Sequence, residues 1–230
     1  MHCAHLWAKA ILCVVPTLLT VALVPAQTTV ALSLYGAFNE STSAANTTQS
    51  PANAAGGLIE LRQIKNPLIG YEATYAYNRA NQAYSNRGVP PVTCGLPCEA
   101  EFSPVSASVP NNAHEFTGDW IVSFRVANLR PFALAGGGLL LDVPSSGPAT
   151  MIQCQAGTNV CESTSATTNT STQAVFVYGA GVDWKLLPHL GLRLQYRGGL
   201  YKAPDLINAF SSTNAFTHSA EPMIGVYFRL

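Results

Sequence analysis

Charge is scarce in this chain. Asp, Glu, Lys and Arg make up 10% of its 230 residues and cancel to a formal net charge of zero, whereas an ordinary soluble domain carries about 25%. So sparse and balanced a set supplies no basic footprint for nucleic acid. Long apolar runs are missing too. After residue 26 no stretch approaches the ~18 residues that a spanning helix needs. Yet 48% of the residues are hydrophobic, which excludes the weakly hydrophobic, highly charged composition of a disordered chain. Chemical motifs are equally thin. The five histidines are scattered, and no G-x-S-x-G, H-E-x-x-H or P-loop pattern occurs. No metal, cofactor or catalytic site is expected.

What is present begins with an address. Residues 1–26 carry Lys9, His2 and His5 ahead of the apolar run ILCVVPTLLTVALV, then Val24-Pro25-Ala26. A mildly basic start, a short apolar core and small residues at the end predict a secretory signal peptide cleaved before Gln27. The domain proper is then 27–230. It keeps four cysteines, Cys94, Cys98, Cys154 and Cys161. Close pairs in an exported chain suggest Cys94–Cys98 and Cys154–Cys161 disulfides in loops, although four cysteines allow three pairings. A redox or metal role for CGLPC is the alternative, but its spacing is not C-x2-C and no histidine lies near.

Between the termini of that domain, segments of about 9–13 residues alternate with period two, as strands with two unlike faces do. In 190–201, Leu190, Leu192, Leu194, Tyr196 and Leu200 share one face and Arg193, Gln195 and Arg197 the other. In 114–126, His114, Phe116, Trp120, Val122, Phe124 and Val126 oppose Glu115, Thr117, Asp119, Ser123 and Arg125, with Ile121 out of pattern. Segments 28–38, 69–78, 174–185 and 220–230 alternate likewise; 56–64 is less regular, and 130–143 is apolar on both faces from Ala133 to Leu141. That makes eight expected strands. Their connections take turns: 39–55, 79–113, 144–173 and 202–217 are long, whereas Lys65–Pro67, Ala127–Leu129 and Leu186–His189 are short. All long loops then lie at one rim, as in an outer-membrane barrel.

Alternation alone leaves open which face points outward, since a soluble lipocalin-like barrel with an apolar pocket has the same period. Without Lys9 the chain keeps 11 bases and 12 acids, far below the roughly 25–35% charge of a water-facing surface. Tyr71, Tyr75, Tyr77, Trp120, Tyr178, Trp184 and Tyr196 all fall on the apolar face, where membrane-interface girdles recruit Tyr and Trp. The apolar face is therefore expected to meet lipid.

This pattern resembles the small eight-stranded outer-membrane barrels of Gram-negative bacteria, the OmpA/OmpX type. The resemblance implies an all-β, eight-stranded antiparallel up-and-down transmembrane β-barrel at the cell surface. The closing segment EPMIGVYFRL, with Val226, Phe228 and Leu230, is similar to the family's C-terminal assembly signal and implies insertion by the outer-membrane assembly machinery. The family usually ends in an aromatic residue; here Leu230 is last.

On this assignment Glu60, Arg62, Glu72, Glu115, Asp119, Arg125, Asp183, Lys185, Arg193, Arg197, Glu221 and Arg229 face inward, six acids with six bases. Eight strands leave a lumen that side chains can fill, so these predict a salt-bridged plug, with a narrow or gated ion path as the alternative. Closely spaced glycines, Gly136 to Gly138, Gly179, Gly181, Gly198 and Gly199, would let strands curve around it. The candidate hydrolase trio His218-Ser219-Glu221 is split, because neighbours on a strand face opposite ways. The protein is expected to be a monomer in outer-membrane lipid. Its role would be structural, with a surface ligand or a host or phage partner engaged by the long loops.

Overall fold

A computed structural model describes residues 27–65, 68–86, 105–145, 148–154 and 160–230. Residues 1–26, and Cys94 and Cys98, lie outside the described residues. The chain is all-β. Its strands are β1 (Gln27–Asn39), β2 (Thr42–Ala44), β3 (Thr47–Pro51), β4 (Ala54–Ile64), β5 (Ile69–Asn86), β6 (Val105–Ser123), β7 (Leu129–Pro144), β8 (Ala149–Cys154), β9 (Cys161–Ala166), β10 (Ser171–Lys185), β11 (Leu190–Lys202) and β12 (Phe216–Arg229).

Eight of these, β1, β4, β5, β6, β7, β10, β11 and β12, pair antiparallel in one closed ring. Closure runs through β1 and β12, with Val30 opposite Phe228 and Leu34 opposite Ile224. A closed ring pairs the backbone polar groups within the sheet, which is what a strand protein needs in order to cross hydrocarbon. The outward positions are apolar: Leu32, Leu34, Ile59, Phe116, Trp120, Val122, Phe176, Leu194, Ile224 and Phe228 are all exposed. The barrel is thus inverted relative to a soluble one, and it is a transmembrane barrel.

The 130–143 segment resolves cleanly. Phe132, Leu134 and Leu140 are buried inside, while Ala133, Ala135, Gly137 and Leu139 point out. Inward glycines leave no room for a side chain against the neighbouring strand: a Cβ at Gly138 would run into the Phe116 carbonyl. At Gly181 it would meet the Phe132 ring at 2.6 Å, so that glycine makes room for an aromatic side chain inside the lumen. At the short-turn rim, Val126 and Leu129 exchange both backbone hydrogen bonds at 2.9 Å. This two-residue hairpin holds Ala127 at φ 52°, the left-handed conformation that tight hairpins demand.

The long connections differ from expectation. Instead of unstructured loops, β5 and β6 remain paired from Asn78–Ala113 up to Asn86–Val105, far beyond the girdle. Within 39–55 lies a hairpin, β2–β3, which adds to β5. Its turn residues Ala45 and Asn46 both take positive φ, and a Ser43–Thr48 hydroxyl pair at 2.9 Å ties its strands. Within 144–173 lies β8–β9, which adds to β6 and carries the Cys154–Cys161 disulfide. Polar strands of Ser and Thr leave no hydrophobic alternation for a pattern search to detect, which is why composition alone suggested loops.

The fourth connection, 203–215, folds inward. Leu206, Ile207 and Phe210 are buried against Tyr84, Ala107, Val109, Ala149 and Ala166. These residues form an apolar core above the barrel, covering its long-loop mouth.

Candidate functional site

Nine of the twelve expected lumen residues are buried inside the barrel: Glu60, Arg62, Glu72, Glu115, Asp119, Asp183, Arg193, Arg197 and Glu221. The other three are not. Arg125 and Lys185 are exposed and Arg229 is half-buried, all at the short-turn rim. Alternation fixes the side of a residue but not its depth: β6 ends at Ser123 and β10 at Lys185, so these inward-pointing positions fall at the mouth. Asp142, in the segment whose two faces looked alike, is also buried. The lumen therefore holds seven buried carboxyl groups with three guanidinium groups, not a balanced six and six.

Two ionic layers result. In the layer nearer the short turns, Arg62 Nε donates to Glu72 Oε2 at 2.6 Å and Nη1 to Asp183 Oδ2 at 3.2 Å. Arg193 grips Asp183 with two bonds, Nε to Oδ1 at 2.7 Å and Nη2 to Oδ2 at 3.0 Å, and reaches Glu60 at 3.1 Å. The Arg62 guanidinium lies over the Phe132 ring, 3.9 Å from its centroid. In the second layer Arg197 bonds Glu115, Glu221 at 3.0 Å and Thr117 at 3.2 Å.

The arrangement has a rule. Each arginine takes one carboxylate directly opposite on the neighbouring strand: Arg62 with Glu72, Arg193 with Asp183, Arg197 with Glu221. Each also reaches across the lumen, Arg62 and Arg197 to one carboxylate and Arg193 to two, Glu60 and Glu72. The cross-lumen ties Arg62–Asp183, Arg193–Glu60 and Arg197–Glu115 brace opposite walls of the barrel. Neutral donors serve carboxyl groups that the three arginines do not saturate. Ser33 donates to Glu60 at 3.0 Å, Ser219 to Glu221 at 2.9 Å, Thr117 to Asp119 at 3.1 Å, and Asn111 to Asp142. Several buried atoms of the plug, among them Arg62 Nη2, Glu72 Oε1 and Arg197 Nε, make no hydrogen bond, so the bonds that are made carry the cost of burying this much charge.

Above this plug sits the apolar cap, and polar contacts sew it down. Tyr84 donates its hydroxyl to the Pro204 carbonyl at 2.7 Å and accepts the Leu206 amide at 3.2 Å. Gln49 Nε2 reaches the same carbonyl at 3.0 Å, Thr42 bonds Thr213 at 3.2 Å, and the Asn169 amide bonds the Leu206 carbonyl at 3.0 Å. All three other long connections thus hold the fourth. Burial of the Tyr84 hydroxyl raises its pKa far above the ordinary tyrosine range, so it serves as a neutral donor and acceptor.

On the outer face, His218 pairs with Tyr178 at 2.9 Å while Ser219 faces inward to Glu221. The serine and histidine therefore lie on opposite sides of the wall. A parallel pair, Tyr75 with His114 at 2.9 Å, lies on β5 and β6, and Tyr71 stacks edge-on with Trp120 at 4.5 Å near the opposite rim. These aromatic bands bracket the exposed apolar belt. Among the described residues, no group of three or more His, Cys, Asp or Glu is placed to hold a metal ion.

No protein-family model matches the chain, and no curated protein sequence matches it. Some solved structures match it over most of its length. Ail of Yersinia pestis, the attachment invasion locus protein, in complex with the heparin analogue sucrose octasulfate, is 11% identical over 89% of this chain and 99% of its own, with a TM-score of 0.47. Neisserial surface protein A is 15% identical over 88% and 97%, with a TM-score of 0.46. OprG of Pseudomonas aeruginosa is 11% identical over 89% and 96%, with a TM-score of 0.45. By its own strand count, closure and inverted faces, the chain has the architecture of a small eight-stranded outer-membrane β-barrel.

Proposed function

We propose that the protein is a closed, non-conducting outer-membrane barrel that works at the cell surface through its extracellular β-extensions. The observation that carries this reading is the double closure of the lumen. Two arginine-centred layers fill it at membrane level, and the apolar cap built on Leu206, Ile207 and Phe210 covers the mouth. Material crossing the barrel would have to break both.

What remains available to a partner is the rim above the lipid, where β9 is exposed along nearly its whole length. Among the described residues β9 pairs only with β8, so it offers an open strand edge stapled by Cys154–Cys161 to a surface ligand or a host or phage partner. Residues 1–26 act as the cleaved export signal. The outward-facing Val226, Phe228 and Leu230 serve the assembly machinery during insertion, and the barrel functions as a monomer without catalytic activity.

The test is conductance in planar bilayers. Wild-type protein, shown to be folded by its altered gel mobility before boiling, is expected to be electrically silent. Steady channels that change when Arg193 or Glu115 is neutralised would replace this reading with that of a small pore.

A further inference from the structure

The basic residues that the ionic layers leave out line one concavity. Arg125, Arg130, Lys185 and Arg229 converge at the short-turn mouth of the barrel around a cavity of about 90 Å³. Among the described residues none of the four forms an ion pair. The one carboxylate in the lining is Asp183, and Arg62 and Arg193 already hold it. Arg130 lies within the field of Arg125, Arg229 and Arg62, which the single carboxylate Asp183 offsets only in part, so an added anion would relieve the repulsion among these cations.

Unused donors point the same way. Thr29 and Arg130 both line the cavity, and two of their buried atoms, Thr29 Oγ1 and Arg130 Nε, have no hydrogen-bond partner. Thr29 is more than nine-tenths buried. Arg130 Nη1 is anchored on Gln27 Oε1 at 3.2 Å, which fixes the guanidinium at the cavity wall. Buried polar atoms seldom go unpaired without a reason. Several cations with forked guanidinium donors match the oxygens of a phosphate better than those of a single carboxylate.

We propose that this vestibule binds a phosphate-type oxyanion held by Arg125, Arg130, Lys185 and Arg229. At a membrane interface the phosphate can come from a phospholipid headgroup or from a soluble periplasmic molecule. The two sources share the chemistry and differ in the experiment.

Protein expressed from the full chain and extracted into a phosphate-free sugar detergent is titrated calorimetrically with inorganic phosphate at low salt. Saturable binding at one site is expected. The double variant Arg125→Gln, Lys185→Gln should weaken it at least tenfold. Both side chains are exposed and unpaired, so folding should survive, as gel mobility before and after boiling will show. Arg130→Gln should weaken binding as much, and Lys202→Gln, at the opposite end of the barrel, should leave it unchanged. Repeating the titration in nanodiscs separates the sources. Phosphatidylglycerol discs that block the binding seen in uncharged glycolipid discs identify a headgroup site; binding in both identifies a soluble ligand. Absence of saturable binding in detergent, or affinity within twofold of wild type in the double variant, would overturn the proposal.

Discussion

Two regions of the same strands obey opposite rules. Low on β5, Ile69, Tyr71, Ala73, Tyr75 and Tyr77 face out while Glu72 and Thr74 face in; higher up, Arg79, Asn81 and Ser85 face out and Tyr84 is buried. On β6 the inward series runs from Ala107 and Val109 down to Glu115 and Asp119, and the outward series from Ser106 and Ser108 down to Phe116 and Trp120. The alternation never skips. What changes is the medium outside: hydrocarbon below, water above. The switch falls at the pair Tyr77 and His114, directly opposite each other, beside the Tyr75–His114 hydrogen bond. Stability therefore has different sources in the two regions, ionic bracing in the lumen and ordinary apolar burial in the cap.

The strongest test of that contrast removes one guanidinium. Arg193→Met leaves Glu60, Asp183 and Glu72 facing one another with a single arginine beside them. Breaking a buried ion-pair network from one side costs about 3–5 kcal/mol, and urea titration of the folded barrel in detergent should show it. The outer face gives the next largest effect. Leu34→Arg, in the middle of β1, should cost about 2–4 kcal/mol in lipid, whereas Asn81→Arg, outward on the water-facing part of β5, should fall within about 0.5 kcal/mol of wild type. Equal costs at the two positions would mean that the boundary is misplaced.

In the cap, Leu206→Ala deletes a fully buried side chain and should cost about 3 kcal/mol, in the usual range for a core leucine. The loss should be local. Hydrogen exchange of 203–215 should accelerate while the barrel strands stay protected, and bilayers should stay silent because the arginine layers persist. Global loss of protection would show that cap and barrel are one cooperative unit.

How much of this was legible in the sequence differs between the same two regions. At membrane level the period-two pattern reveals the faces, because large apolar and charged side chains alternate there. Even Ile121, out of pattern, is explained by packing inside with Phe132 and Leu134. Pattern does not reveal depth, so Arg125, Lys185 and Arg229 look the same in sequence as residues that lie deep in the lumen. Nor does it assign a side to Asp142, just beyond a stretch apolar on both faces. The cap was harder still. Leu206, Ile207 and Phe210 stand in a segment that otherwise reads as a connection, and their apolar cluster is the one signal that it folds inward. The hydroxyl-rich hairpins carry no such mark.

The smallest expected effects lie in the part above the belt, at the long connections. Cys154→Ser opens a disulfide with a sequence separation of 7; loop-closure entropy assigns so short a loop about 2 kcal/mol, confined to β8–β9. Faster exchange of 149–166 alone would check it. Smaller again is the pH response of the cap. Partial burial raises the Asp205 carboxyl above its ordinary range, so the folded cap holds that proton more tightly than the open one. The cap should therefore be most stable at low pH and loosen as pH rises out of the ordinary carboxylate range through the raised value. Exchange of 203–215, corrected for its intrinsic pH dependence, should be slower at pH 4 than at pH 7, and Asp205→Asn should remove the difference. A cap that instead loosens on acidification would place the responsible carboxyl elsewhere and separate its control from the apolar packing on which the comparison with the lumen rests.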